Sequence, residues 1–283
     1  MKKCIIAILS VSMLLAMTGC KKDETTKATE GTTTAAESTE ASSEESTEAS
    51  SEDTSDTEAT TSEEAPSSEA ASVMSYADYA AAELESEVTI EAYVQGKQSW
   101  WDDKATVYLQ DEDGAYFCYN MACSEADYAK LTDGQKIRVH GFKSEWSGEV
   151  EIVDATFEVI DGTWTATPVD VTADLGTDDL INKQNQLVSF TGMKVEASKD
   201  ANGNDVAFLY KWDGSGEEGD DLYFNVSVNG QTYNFTVESY LCDKDSEVYK
   251  TVKELKIGDT VDMEGFLYWY EGANPHITKV TVK

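Results

Sequence analysis

The sequence predicts a mainly β protein: two tandem five-stranded barrels, each with a short helix between its third and fourth strands, behind a long N-terminal stretch that forms no regular structure. An internal repeat, short runs of alternating apolar residues, and a break in composition near residue 72 predict it. The repeat is the clearest of the three. "LTDGQKIRVHGF" (Leu131 to Phe142) and "LKIGDTVDMEGF" (Leu255 to Phe266) both read L-x-x-G-x-x-(I/V)-x-(V/M)-x-G-F without a gap. Each is followed by a further glycine, Gly148 or Gly272, and then by a closing strand, and each is preceded by a tight turn, Asp113-Gly114 or Asn229-Gly230. One unit therefore occurs twice, over 73–165 and 166–283.

The elements of the first unit follow in order. "SYADYAAAELESEVTIEAYV" reads as a short helix feeding a strand in which Val88, Ile90, Ala92 and Val94 alternate with Thr89, Glu91 and Tyr93. Val107 and Leu109 point inward on a second strand, leaving Tyr108 outward. Ala115 to Met121 forms the third. Ser124 can cap a short helix running to Leu131, Ile137 and Val139 face inward on the fourth strand, and Val150 and Ile152 close the set. In the second unit the predicted strands are Leu187 to Val195, Leu222 to Val228, Thr232 to Glu238, Thr260 to Phe266 and His276 to Val282, with a helix near Ser246 to Leu255.

Five strands with a helix between the third and fourth is the order of the OB-fold, and the "GxxVxVxGF" run resembles the fourth strand of bacterial OB-fold domains. The first twenty residues carry Lys2 and Lys3, an apolar run from Ile5 to Met17, then Thr18-Gly19-Cys20. That pattern resembles the lipobox of bacterial lipoproteins, with Met17 where the family most often has Leu. The resemblance implies cleavage before Cys20, lipidation of its sulfur, and anchoring of the chain on the extracytoplasmic face of the cell membrane. Residues 21–72 contain no aromatic residue and no Val, Ile, Leu, Met or Cys. Such a stretch cannot offset the entropy of ordering, so a disordered Ser/Thr/Glu-rich tether is expected, spanning roughly 40 Å r.m.s..

From Val73 onward 40 Asp and Glu face 16 Lys and Arg. A field of that sign repels polyphosphates, which weighs against nucleic acid as a partner. Apart from Cys4 in the leader and Cys20, the cysteines are Cys118, Cys123 and Cys242, an odd number; a Cys118–Cys123 bridge and free buried thiols both stay open.

In OB-folds ligands sit across strands 2 and 3, between the loop joining strands 1 and 2 and the loop joining strands 4 and 5. That geometry makes Trp100, Trp101, Tyr108 and Trp146 candidate ligand contacts in the first copy, with Arg138 and His140 adding polar contacts. Tyr210, Trp212, Tyr268, Trp269 and Tyr270 are their counterparts in the second. One of the adjacent tryptophans is expected to close the barrel mouth instead. No Gly-x-Ser-x-Gly, His-Glu-x-x-His or phosphate-cradling loop occurs, so no catalytic residue and no cofactor is assigned. "DANGND" departs from the calcium-loop pattern at its glycine; Glu217, Glu218, Asp220 and Asp221 are the weak metal candidates. The expectation is a noncatalytic surface lipoprotein that recognises an extracellular saccharide, peptide or protein, with single-stranded nucleic acid as the alternative and a hydrolase without a recognisable motif as the third.

Overall fold

The computed structural model describes residues 72–283. The leader, lipidation at Cys20 and almost all of the tether lie outside the described residues.

Ser75 caps α1 (Tyr76–Ala81) by accepting the amide of Asp78 at 3.2 Å, and buries Tyr79 under the first barrel. The barrel consists of β1 (Glu87–Lys97), β2 (Lys104–Gln110), β3 (Ala115–Ala122), β4 (Gln135–Trp146) and β5 (Glu149–Thr163), with α2 (Glu125–Tyr128) between β3 and β4. It closes in the order β1-β2-β3-β5-β4, with β1 pairing both β2 and β4 and a short parallel contact between β3 and β5. The alternating residues Val88, Ile90, Ala92, Val94, Val107, Leu109, Ile137, Val139 and Ile152 fill its core.

β6 (Val169–Asp170) leads into the second barrel, which uses β7 (Leu187–Glu196). A long connection then carries three two-residue strands: β8 (Ser198–Lys199), β9 (Asp205–Val206) and β10 (Leu209–Tyr210). β11 (Leu222–Val228), β12 (Gln231–Val237), α3 (Glu247–Glu254), β13 (Thr260–Phe266) and β14 (His276–Val282) complete it. Pairing runs β11-β12-β14-β13-β7 and closes through β7 and β11. Both units are therefore closed five-stranded barrels with a helix between the third and fourth strands, the OB topology. Cys118, Cys123 and Cys242 are free thiols.

Both glycines of the repeated motif have a physical cause. Gly134 and Gly258 have φ of +82° and +96°, which turns the chain into the fourth strand. Gly141 and Gly265 lie at register shifts, and a Cβ there would stand 2.8 Å from the Val153 carbonyl and 2.2 Å from the His276 carbonyl. The motif's phenylalanines then part company: Phe142 is 40% exposed, whereas Phe266 is buried against the first barrel.

That docking departs from simple alternation. Tyr108 does point out of its own barrel, yet it is only 1% exposed because Phe266 stacks on it at 4.2 Å and 4°. Phe117 completes the small interface core, and Gly96 leaves room for the Phe266 ring, whose Cε2 lies 2.7 Å from where a Cβ would be. Backbone joins the barrels as well: Ser99 donates to the Tyr240 carbonyl (2.7 Å) and Glu271 to the Ser147 carbonyl (2.8 Å). A stacked aromatic pair adds about 0.5–1.5 kcal/mol beyond its buried area.

Candidate functional site

Between the barrels lies a cleft of about 880 Å³. β3 supplies Phe117 and Tyr119, the β4–β5 hairpin Trp146, and the β13–β14 connection Tyr268, Tyr270 and Asn274, while Trp212 reaches in from the long β7–β11 connection. A smaller recess of about 330 Å³ shares Gln98 and Tyr119 with it and adds Trp101 and Tyr240. Seven large aromatic residues are exposed among the described residues: Trp101, Tyr119, Phe142, Trp146, Trp212, Tyr240 and Tyr270. All but Phe142 line these two hollows. Such clustering of rings on one face marks a binding surface rather than scattered exposure.

The strand pattern accounts for their aim. Tyr119 is two residues beyond Phe117 on β3 and so shares its outward face. Trp146 ends β4, and its ring meets Tyr270 from the equivalent connection of the other barrel, with centroids 5.1 Å apart. Tyr268 stacks on His276 at 4.3 Å. Burial pushes the His276 imidazole down to about 3, so it is neutral, and its Nδ1 shares a 2.9 Å hydrogen bond with the Tyr108 hydroxyl.

The predicted site residues divide. Trp146, Trp212, Tyr268 and Tyr270 line the cleft and Trp101 the adjoining recess. Trp100 is half-buried and donates its indole N–H to the Cys123 carbonyl at 2.8 Å, and it lines neither hollow. Tyr108 is interface core. Arg138 pairs with Glu91 and Glu158 on the β1–β4–β5 face, and His140 bonds Thr89 Oγ1, so neither reaches the cleft. Tyr210 packs edge-on against Phe208 beside the second core. Trp269 folds back over Gly148. The expectation of one cleft per barrel gives way to a single shared one, because the second barrel docks over strands 2 and 3 of the first.

The four acidic metal candidates do not converge. Glu218 pairs with Lys253, Asp220 accepts the Glu217 amide, and Asp221 accepts from Ser239. Among the described residues no group of three His, Cys, Asp or Glu side chains is placed to hold a metal ion.

Sequence reasoning missed the cleft's carboxylates. Glu149 and Glu151 sit two apart on β5 and share its outward face, which reads as a solvated surface in the sequence. Docking buries both. Glu151 lines the cleft at 8% exposure and accepts no hydrogen bond from any described residue; burial raises its pKa. Glu238, also in the cleft, accepts the amides of Tyr240 and Leu241, and burial together with Asp221 pushes it up to about 7. Among the described residues no Lys or Arg lines the cleft.

Beneath the cleft Glu149 is 0% exposed. Burial, with a smaller push from Glu151, raises its carboxyl to about 8 against the hydrogen bonds it receives. Its Oε2 accepts the Trp269 amide at 2.9 Å, whereas its Oε1 and the Oδ1 of Asn185 both lack a partner. Asn185 Nδ2 is committed to the Val150 carbonyl at 3.2 Å. A proton on Glu149 Oε1 turns that orphan acceptor into a donor.

No protein-family pattern matches the chain, and no curated protein resembles it significantly. Among solved structures, the Ifi202 HINa domain in complex with 20-bp dsDNA is 11% identical at a TM-score of 0.32, covering 70% of this chain and 98% of that one. The p204 HINb domain is 10% identical at 0.33, covering 71% and 100%. A replication protein A heterotrimer bound to ssDNA is 13% identical at 0.26, covering 68% of this chain and 49% of that one. Two barrels with the strand order given above are OB barrels on their own topology, independently of these distant likenesses.

Proposed function

We propose that the protein is a noncatalytic binding head that takes a saccharide into the cleft between its barrels, held at the cell surface by a lipidated Cys20 and the acidic tether. One observation carries the reading: six of the seven exposed aromatic rings of the described residues gather at the cleft and its adjoining recess, four of them in the cleft itself. Flat rings stack on sugar faces, and Gln98, Asn274 and the two carboxylates offer hydrogen-bond partners to hydroxyl groups. Extended peptides are commonly held by main-chain bonds to an open sheet edge. Here both barrels close on themselves and leave only two-residue strands such as β6 and β10 at sheet edges, so side chains do most of the holding.

A second reading is single-stranded nucleic acid, because the same rings can stack bases; replication protein A, among the similar structures, was solved bound to ssDNA. Against it stand the excess of 40 acidic over 16 basic residues from Val73 onward and a cleft without a cation. Nucleic acid would have to bind with an affinity that falls steeply with salt or depends on divalent ions, whereas stacking on neutral sugars is nearly indifferent to salt.

Titrating intrinsic tryptophan fluorescence with neutral oligosaccharides and with deoxyoligonucleotides at two salt concentrations tests the reading. The expected result is salt-insensitive quenching by a glycan, weakened about tenfold or more by Trp212→Ala and by Trp146→Ala, with the melting temperature unchanged. Salt-sensitive binding of the oligonucleotide alone would favour the second reading.

A further inference from the structure

Glu151 is 8% exposed as a residue, lines the cleft, and its carboxylate receives no donor from any described residue. Desolvating a carboxylate is unfavourable unless something with a hydrogen-bond donor or a positive charge answers it. Nothing in the cleft wall does so: it holds no Lys or Arg, its only histidine is neutral, and its other ionisable acid is Glu238. The aromatic walls add to the same field, since ring faces carry the negative end of the aromatic quadrupole. Tyr119, Trp146, Tyr268 and Tyr270 surround the cleft. Every electrostatic feature of the hollow therefore favours a cation, and the excess of acidic residues over the whole head draws cations toward it.

Resting on the saccharide reading above, we infer that the cleft selects glycans bearing free primary amines, the N-deacetylated amino sugars, over their N-acetylated counterparts. The ammonium meets Glu151 while the rings take the sugar faces. An N-acetyl group removes the charge and puts a neutral amide in its place, leaving the carboxylate without its counter-ion. Anionic sugars are repelled by the ionised Glu151.

The test compares two ligands that differ only at nitrogen: fully deacetylated and fully acetylated chito-oligosaccharides of equal length. Each is titrated calorimetrically into the full chain near neutral pH. The deacetylated form is expected to bind about tenfold tighter or more, the scale of one closely held charge pair. Raising the salt concentration narrows that preference. Glu151→Gln, which preserves shape, abolishes most of that preference. Because the wild-type comparison needs no variant, it decides the question even if Glu151→Gln folds poorly. Equal or tighter binding of the acetylated form overturns the selectivity and leaves the saccharide reading standing. Binding of neither glycan overturns both, and tri-lysine bound in their absence assigns the cleft to cationic peptide.

Discussion

At the scale of single residues, Glu149 offers the sharpest test of the interface. Its carboxyl holds a proton in the folded chain up to pH of about 8, whereas an ordinary glutamate ionises near 4.5. Between those limits unfolding releases a proton. Stability from this site is thus fully present below the lower limit, falls as pH rises toward the upper, and stays level beyond it. Glu149→Gln imitates the protonated form: uncharged, with a donor group and an oxygen left for the Trp269 amide. Melting curves from pH 5 to 9 are expected to show the variant and wild type nearly equal at the acid end. The variant should lead by several degrees at the alkaline end, a gap on the order of a few kcal/mol. A constant gap would show that Glu149 is ionised throughout. None of this was legible in "GEVEIVD", where alternation identifies Glu149 and Glu151 as outward-facing but is blind to what covers them. Tyr108 failed to declare itself for the same reason.

At the scale of elements, the repeated motif carried most of the fold into view. Its first glycine turns the chain with positive φ, its alternating residues fill the barrels, and its second glycine lets the closing strand approach. Gly265→Ala sets a methyl group against the His276 carbonyl and Ile277 Cα, backbone that cannot swing aside. It is expected to lower unfolding free energy by about 2–3 kcal/mol in urea titration. Gly272→Ala, at an open position with φ of +148°, meets no neighbour, and its smaller cost of about 1 kcal/mol is conformational alone. The loops were read less well than the strands. Trp146, Trp212, Tyr268 and Tyr270 fall where loop positions in the OB order put them, but Trp100 bonds the Cys123 carbonyl and Trp269 lies over Gly148 of the other barrel. Adjacent residues in a loop share no periodicity that would say which one faces out.

At the scale of the whole molecule, the cleft exists only because the barrels are docked, so binding and docking stand or fall together. Phe266 is the centre of that contact, stacked on Tyr108 and seated over Gly96. Wild type is expected to unfold in one transition by circular dichroism and by tryptophan fluorescence alike. Phe266→Ala removes a buried ring, costs about 3–5 kcal/mol, and separates the two probes by letting one barrel melt ahead of the other. Coincident curves in the variant would mean that the hydrogen bonds of Gln184, Asn185 and Glu271 hold the pair without the ring.

The two copies meet in an unequal way. Phe266 of the second copy plugs into the first, but Phe142, its counterpart in the first, stays in water, and the outer face of β11 with Tyr223, Asn225 and Ser227 is left half-exposed. The junction is therefore directional, a peg in a socket rather than a mirrored clasp.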